Sequence, residues 1–128
     1  MTPVILDASA LLAIALNESG AGNVVRLMVP SETYIHAINA FEVAAKLMAK
    51  TVTEDDAWSA AAFGGVITID DAGSPINRRA ARLKCLNPYL SLADCFCLAL
   101  AEDMQGRVIT SDGGFALAKT SAQVVMFR

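Results

Sequence analysis

The segment VILD at positions 4–7, followed by ASALLAIAL at positions 8–16, is a short apolar run that leads through one aspartate into an alanine- and leucine-rich stretch. Such an apolar run is typical of a buried strand, and the stretch after it has high helix propensity. A strand that passes directly into a helix is the first half of a crossover connection. The opening residues therefore predict an α/β protein.

The same alternation continues to the end of the chain. Further strands are predicted at 33–35, 66–69, 108–110 and 123–127. Helices are predicted at 8–16, 21–29, 37–50, 54–63, from the Ser74-Pro75 pair to about 84, at 91–104 and at 114–119. Crossovers of this kind produce a mainly parallel sheet, here of about five short strands, with helices on both faces. Ligands of such sheets bind outside the carboxyl ends of the strands.

Composition limits the possible classes of protein. The 128 residues are 55% hydrophobic and 18% charged, with a formal net charge of -3. We expect one domain, 1–128, because this length leaves little room for a second and the apolar fraction excludes disorder. The acidic balance argues against a general polyanion binder, although a nuclease with an acidic centre remains compatible with it.

The cysteines and the hydropathy profile predict a cytoplasmic protein. Cys85, Cys95 and Cys97 form no CxxC pair, and His36 is the only histidine, so we expect buried free thiols rather than a zinc site. No uncharged apolar stretch is long enough to span a membrane. The apolar start lacks a basic region and contains Asp7, so it is not expected to be a signal peptide.

Two aspartates follow predicted strands. Asp7 comes directly after the first strand, and Asp112 stands two residues after the fourth. Both therefore fall at the carboxyl edge of the sheet. A helix follows each of them, so N-capping of that helix is the alternative interpretation.

Asp94 is the only charged residue in the stretch SLADCFCLALA. On a helix it shares a face with Leu90, Cys97, Leu98 and Ala101, all apolar. A carboxylate in the middle of a buried face costs several kcal/mol unless it is paired or bound to a metal, so we expect a site role. The alternative is an acid in the first helical turn, stabilised by the helix dipole.

Glu42 gives a weaker signal of the same kind. It shares a predicted helix face with Ile38, Ala45 and Ala49, which favours partial burial. Lys46 stands four residues later, so a surface ion pair is the alternative.

Together the four acids predict a metal site. If Asp7, Glu42, Asp94 and Asp112 converge, they repel one another unless a cation lies between them. Oxygen ligands without histidine or cysteine suit Mg²⁺ or Mn²⁺, and an ion held by few carboxylates keeps open coordination for a phosphate. The lone His36 lies in none of these acidic motifs, so a Ser-His or Cys-His nucleophile is not expected.

Four segments of the chain resemble the PIN domain, in particular the VapC-type toxin ribonucleases of bacterial toxin–antitoxin pairs. The segments are VILDASALLAI, HAINAFEVAAKL, LSLADCFCLALA and VITSDGGFAL. The resemblance implies a three-layer α/β/α sandwich and a metal-dependent endoribonuclease that hydrolyses RNA phosphodiester bonds. It implies Mg²⁺ or Mn²⁺ as cofactor.

The resemblance also assigns roles to the acids. It makes Asp7 the metal ligand at the strand end, Asp94 the helical ligand, Glu42 the mid-helix acid and Asp112 the last acid. All four are thereby candidate catalytic and metal-binding residues.

Supporting positions follow from the same comparison. Ser9 and Thr110 match small hydroxyl residues that support the acids. His36 is expected to start a helix or lie in the core. Gly113-Gly114 departs from the family, because many relatives carry a basic or larger polar residue after the last acid.

Candidate RNA contacts are the basic residues near these motifs. Arg78, Arg79, Arg82 and Lys84 lie within seven positions on one predicted helix, and Lys46 lies beside Glu42. A solvated helix surface is the alternative for the arginines. Replacing them is expected to weaken RNA binding.

The resemblance further implies an antitoxin partner and a homodimer. An antitoxin tail of this kind lays hydrophobic residues in a groove and an arginine against the acids. The apolar stretches 11–16 and 24–29 are candidates to line that groove, and core packing explains them equally well.

Two other functions remain open. One is a PIN scaffold that binds RNA or a partner without catalysis. The other is a receiver-like phosphoacceptor domain with Asp70 as acceptor, which is disfavoured because Asp7 is followed by Ala8 rather than by a second acid.

Overall fold

The computed structural model describes residues 1–71, 73 and 75–128 and places five strands and seven α-helices in them. The strands are β1 (Val4–Leu6), β2 (Thr33–His36), β3 (Ile67–Ile69), β4 (Arg107–Thr110) and β5 (Gln123–Met126). The helices are α1 (Ala8–Ala15), α2 (Ala21–Met28), α3 (Ala37–Met48), α4 (Glu54–Ala61), α5 (Ile76–Leu86), α6 (Leu92–Met104) and α7 (Gly113–Ala116). A short 3-10 turn at Phe63–Gly65 precedes β3.

All four strand pairs of the sheet are parallel, in the order β3-β2-β1-β4-β5. The chain moves from β1 toward β2 and β3, then crosses to β4 on the other side of β1. The crevice between the carboxyl ends of β1 and β4 is therefore the topological switch point, where ligands of open α/β sheets bind. Receiver-type folds have the order 2-1-3-4-5, so the receiver-like alternative is wrong.

Apolar cores cover both faces of the sheet. Leu6 and Ile109 face one core, which α1, α2, α3 and α4 complete. Ile5 and Val108 face the other core, which α5 and α6 complete. The predicted three-layer α/β/α sandwich is confirmed, because successive side chains of each buried strand point to opposite helical layers.

Several predicted boundaries differ from the structure at element ends. Strand β3 begins at Ile67 rather than at residue 66, and the last short helix spans Gly113–Ala116 rather than 114–119. Helix α5 begins at Ile76, so Pro75 is the N-cap and not the first helical residue. The predicted cap Ser74 lies outside the described residues.

One expectation about the cysteines is wrong. Cys95 and Cys97 are buried free thiols as expected, but Cys85 is exposed on α5. It stands on the solvent side of that helix, whose core positions are held by Ile76, Ala80 and Leu83. None of the helices in the described ranges is both long and apolar enough to cross a bilayer.

Gly106 allows β4 to pass close to the chain entering β1. A Cβ at this position would lie 2.4 Å from Ile5 Cδ1 and 2.8 Å from the backbone carbonyl oxygen of Pro3. Because the second of these atoms is backbone, rearrangement of a side chain cannot remove the overlap.

We expect Gly106→Ala to destabilise the fold by about 1 to 3 kcal/mol, the usual cost of overpacking. Gly22→Ala is the control, since nothing lies within 4 Å of the Cβ it would add. Chemical denaturation of both variants measures the difference. Equal stability of the two variants would show that Gly106 does not lie as close to Pro3 and Ile5 as described.

Candidate functional site

The register of the sheet brings three polar side chains to one level. Leu6 is paired with Ile35 of β2 and with Ile109 of β4. The following residues, Asp7, His36 and Thr110, therefore stand side by side at the carboxyl edge. Strand alternation directs all three toward the layer that contains α6.

Asp7 is buried and held from several directions. It is 5% exposed. Its Oδ1 accepts hydrogen bonds from Ser9 Oγ at 2.6 Å and from the backbone N–H of Ala10 at 3.1 Å, and its Oδ2 accepts from Thr110 Oγ1 at 2.5 Å. Ser9 Oγ in turn accepts from the backbone N–H of Ser111 at 3.1 Å. These bonds fix the carboxylate across the junction of β1 and β4.

The environment of Asp7 favours its protonated form. Burial raises the pKa of Asp7 from 3.8 to about 6, against the hydrogen bonds from Ser9, Thr110 and Ala10, and the charge of Asp94 adds to the rise. Asp7 does cap α1, as the capping interpretation predicted. An uncharged serine or asparagine could cap the helix without this desolvation cost, so capping does not account for a carboxylate here.

Asp94 lies in the first turn of α6. Its backbone N–H donates to Ser91 Oγ at 3.1 Å, and its Oδ2 accepts from the Ser91 N–H at 3.1 Å, which forms a capping box. The expectation that Asp94 lies in the middle of a buried face is wrong, because the residue is partly exposed. The first-turn interpretation is correct for its position on the helix.

Glu42 lies on the partly buried side of α3, as expected. Burial raises the pKa of Glu42, the charge of Lys46 lowers it, and that of Asp94 raises it. Lys46 is exposed on the same helix. In the part of the chain that the structure describes, the two residues form no ion pair within 4.0 Å, so the surface-pair alternative is not realised.

Cys97 reveals how the acids are arranged. Burial raises the pKa of its thiol well above the usual range, and the charges of Asp7, Asp94 and Glu42 raise it further. Its Sγ lies 3.9 Å from the carbonyl oxygen of Leu6. All three carboxylates thus act electrostatically on one buried thiol at the end of β1. Asp7, Glu42 and Asp94 therefore lie on the same side of the molecule, but among the described residues no three acidic, histidine or cysteine side chains converge as a metal cage.

Asp112 is connected to Asp7 through Thr110. It is exposed, and its Oδ1 caps the short helix α7 by accepting from the Gly114 N–H at 2.8 Å. Its own N–H donates to Thr110 Oγ1 at 3.0 Å. Thr110 therefore links the backbone of Asp112 to the carboxylate of Asp7.

His36 begins α3, which confirms one of the two roles expected for it. Its Nδ1 accepts from the Ile38 N–H at 3.2 Å, and its Nε2 lies 3.2 Å from the carbonyl oxygen of Asp71. The ring packs against Phe96 at 4.9 Å between centroids. An acceptor at Nδ1 and a donor at Nε2 require the neutral imidazole. Burial lowers the pKa of His36, which also favours the neutral form.

The basic residues proposed as RNA contacts occupy different environments. Arg78 and Arg82 are exposed on α5. Arg79 instead approaches Glu102 at 3.6 Å and Asp103 at 3.8 Å. Glu102 lies eight residues beyond Asp94 on α6, about 12 Å along the helix. Arg79 is thus directed away from Asp94 and toward the other end of α6.

The sequence interpretation missed Asn87 and Tyr89, which connect the start of α6 to the turn that carries Asp112. Asn87 is 1% exposed, and Tyr89 donates a hydrogen bond to Gly114. An asparagine before a proline predicts a turn equally well when its side chain faces solvent, so the sequence carried no sign of the burial.

A sequence model of the PIN domain matches residues 4–120 of this chain. The chain belongs to the PIN domain family. The predicted family is therefore confirmed. Among curated proteins, no sequence gives a significant match to this PIN domain.

Solved structures share the fold of this PIN domain over nearly its whole length. A toxin–antitoxin complex from Klebsiella pneumoniae is 21% identical, covers 98% of each chain and has a TM-score of 0.79. VapBC2 from Rickettsia felis, bound to a DNA fragment from its promoter, is 13% identical, covers 97% of this chain and 98% of the other, and has a TM-score of 0.76. VapC20 from Mycobacterium tuberculosis, a toxin that cleaves the sarcin–ricin loop, is 16% identical, covers 91% and 95%, and has a TM-score of 0.71.

The raised pKa of Asp7 predicts how stability depends on pH. Between pH about 4 and about 6 the folded state binds the Asp7 proton and the unfolded state loses it, so stability falls as pH rises through this window. Asp7→Asn removes the titration but retains an oxygen that caps α1. In chelator at pH 7, we expect Asp7→Asn to be more stable than wild type by about 2 to 3 kcal/mol.

This advantage should shrink as the pH falls and approach zero only below pH 3.8, where Asp7 becomes protonated in both states. Urea denaturation at several pH values measures it. Ser9→Ala provides the opposite control, because it removes a hydrogen bond to the carboxylate without removing the charge. A constant difference between Asp7→Asn and wild type from pH 4 to 7 would show that Asp7 does not titrate as described.

Proposed function

We propose that this PIN domain is a divalent-metal-dependent endoribonuclease that hydrolyses RNA phosphodiester bonds and acts as the toxin of a toxin–antitoxin pair. The observation that carries the proposal is the buried carboxylate of Asp7 at the topological switch point, with the charges of Asp94 and Glu42 acting on the same end of β1. Throughout residues 1–71, 73 and 75–128, no lysine or arginine lies within 4.0 Å of these carboxylates. Three acids in one region without a counter-charge favour a bound cation.

The donor set fits Mg²⁺ or Mn²⁺. All three groups are carboxylates, and hard divalent ions prefer oxygen ligands. Over the described ranges, no three histidine, cysteine or acidic side chains converge as a ready-made metal cage. Mg²⁺ is commonly held by one or two carboxylates and several waters, so Asp7 and Asp94 would hold the ion, with Glu42 and Asp112 completing the pocket.

A bound divalent ion supplies Lewis-acid chemistry, because it acidifies water and neutralises charge on phosphoryl oxygens. The protein contributes orientation. Ser9 and Thr110 fix the Asp7 carboxylate, and the capping box with Ser91 fixes that of Asp94. Exposed Lys46 lies near Glu42 and is suited to attract a phosphate.

A protein nucleophile is disfavoured by the local chemistry. The two ring nitrogens of His36 are used by Ile38 and Asp71. Cys97 is buried, and its raised pKa keeps the thiol protonated. We therefore propose that water, rather than His36 or Cys97, attacks the phosphorus.

Replacing either ligand should abolish the activity while retaining the fold. We expect Asp7→Asn and Asp94→Asn to lower Mg²⁺-dependent RNA cleavage by about a hundredfold or more, since metal binding supplies several kcal/mol of transition-state stabilisation. Asparagine can still accept the capping hydrogen bonds at both positions. Cleavage of a labelled RNA, with and without chelator, measures the effect.

Asp70→Asn is the matched control, because Asp70 is an exposed acid after β3 on the same edge of the sheet. It should cleave RNA like wild type. Full activity of purified Asp94→Asn would overturn the assignment. A wild-type protein that binds RNA but never cleaves it with either metal would instead favour the non-catalytic scaffold.

The exposed arginines of α5 are the proposed RNA-binding surface. Binding through phosphates releases counterions, so affinity falls with salt in proportion to the number of contacts. We expect Arg78→Gln/Arg82→Gln to reduce the slope of log affinity against log salt by about 1.4, or about 0.7 per lost contact with single-stranded RNA. Fluorescence anisotropy at several salt concentrations measures the slope, with inactive Asp94→Asn as background.

Arg26→Gln serves as the control for loss of one positive charge elsewhere on the surface. Arg26 is exposed on α2, where its guanidinium donates to Asn23 Oδ1 at 2.8 Å. Its replacement should leave the slope unchanged. Equal slopes for wild type and the double variant would show that Arg78 and Arg82 do not contact RNA and are ordinary solvent-exposed residues.

An antitoxin segment is the proposed protein partner. The structure offers a cavity of about 340 Å³, lined on α2 by Val25, Met28 and Val29 and on the opposite side by Phe63 and Ile67. Core packing is the correct interpretation for much of the predicted groove, because Leu11, Leu12 and Val24 are buried. The homodimer stays a prediction.

A further inference from the structure

The loop between α5 and α6, residues 87–91, is fastened at its start by a buried amide. Asn87 Nδ2 donates to the carbonyl oxygens of Leu83 at 3.0 Å and Lys119 at 3.1 Å, and Asn87 Oδ1 accepts from the Lys119 N–H at 2.7 Å. This side chain joins the end of α5 to the segment after α7. The loop is therefore attached to the part of the chain that follows Asp112.

A lysine fastens the rest of the loop. Lys84 Nζ donates to the carbonyl oxygen of Pro88 at 2.8 Å and also to that of Leu90. The next residue, Ser91, forms the capping box with Asp94. The Asp94 helix thus begins from a loop whose backbone is held on both sides of Tyr89.

Tyr89 extends from this fixed loop to the turn of Asp112. Its hydroxyl donates to the carbonyl oxygen of Gly114 at 2.9 Å. A Cβ on Gly114 would lie 3.4 Å from Tyr89 Cε2 and 3.2 Å from Asp112 Oδ1. Because glycine has no side chain, the Tyr89 ring and the Asp112 carboxylate can both lie close to Gly114. The Gly114 N–H donates a hydrogen bond to Asp112.

We propose that Tyr89 is a positioning residue whose hydroxyl ties the Asp112 turn to the loop leading into the Asp94 helix, and so sets the separation of these two carboxylates. The proposal rests on the proposed function in that both carboxylates serve one divalent ion. It also accounts for the glycine at position 114, but not for Gly113, whose Cβ position has nothing within 4 Å.

The alternative role for Tyr89 is direct contact with RNA. The residue is 58% exposed, so a base could stack on its ring. Stacking requires the ring alone, whereas positioning requires the hydroxyl. The bond to Gly114 and the fixed loop on either side favour positioning.

Tyr89→Phe is the decisive variant, because it removes one hydroxyl from an exposed ring and leaves the core intact. Tyr34→Phe is the matched control, since the Tyr34 hydroxyl binds the exposed Glu32 near the opposite end of the sheet. Tyr89→Leu removes the ring as well. Mn²⁺ affinity, from the electron paramagnetic resonance signal of free Mn²⁺, and amide hydrogen exchange at Gly114 are measured for each.

We expect Tyr89→Phe to bind Mn²⁺ about three- to tenfold more weakly, the usual effect of one lost hydrogen bond, and to exchange the Gly114 amide faster. Tyr34→Phe should match wild type in both. In an Asp112→Asn background, Tyr89→Phe should cause no further loss of Mn²⁺ affinity, because Tyr89 acts through Asp112.

Each other outcome has a defined meaning. Wild-type Mn²⁺ affinity in Tyr89→Phe overturns the proposal, as does a full additional loss in the Asp112→Asn background. Impaired RNA cleavage in Tyr89→Leu with normal cleavage and metal binding in Tyr89→Phe assigns the ring to stacking and also overturns it. If wild type binds no Mn²⁺, the proposed function fails, and Gly114 exchange alone decides whether Tyr89 holds the turn.

Discussion

The buried carboxylate of Asp7 is the constraint around which the rest of this PIN domain is arranged. It closes β1, caps α1 and receives the hydroxyl of Thr110 from the neighbouring strand β4. A charge in this position is expensive, which is why the pKa of Asp7 rises to about 6. The polar groups that surround it reduce the cost without removing it.

Asp94 increases this cost rather than relieves it. Its charge raises the pKa values of both Asp7 and Glu42 and so destabilises their charged forms. Each acid has a local structural explanation, as a cap or as a partly exposed helical residue. Those explanations do not require the charge of one acid to act on the others, as that of Asp94 acts on Asp7 and Glu42.

The residues that stabilise the fold are different from the acidic residues of the candidate site. The two apolar cores hold the sheet and its helical layers, and the acids stand at one edge where the strands end. Residues such as Asn87, Lys84 and Tyr89 connect the two regions by fixing the segments from which the acids project. A site built in this way depends on positions that carry no catalytic chemistry.

The sequence alone determined the order of elements, the parallel sheet and the family. Short apolar runs such as Val4–Leu6, each followed by a helical pattern, leave few other arrangements, because a crossover must return parallel to its strand. The acids could be identified as candidates for the same reason, since their positions at strand ends or on apolar helix faces are local features. His36 as a helix start was equally accessible.

Only the tertiary structure decided which charges meet and which are buried. Periodicity placed Asp94 on an apolar face, but the helix begins only two residues before it, so the carboxylate lies at an open end. Arg79 and Arg78 are neighbours in sequence, yet only Arg79 pairs with acids on α6. The contacts of Asn87 and Tyr89 span 32 and 25 positions along the chain. Such pairings depend on how elements distant in sequence pack, and local residue patterns carry no information about that distance.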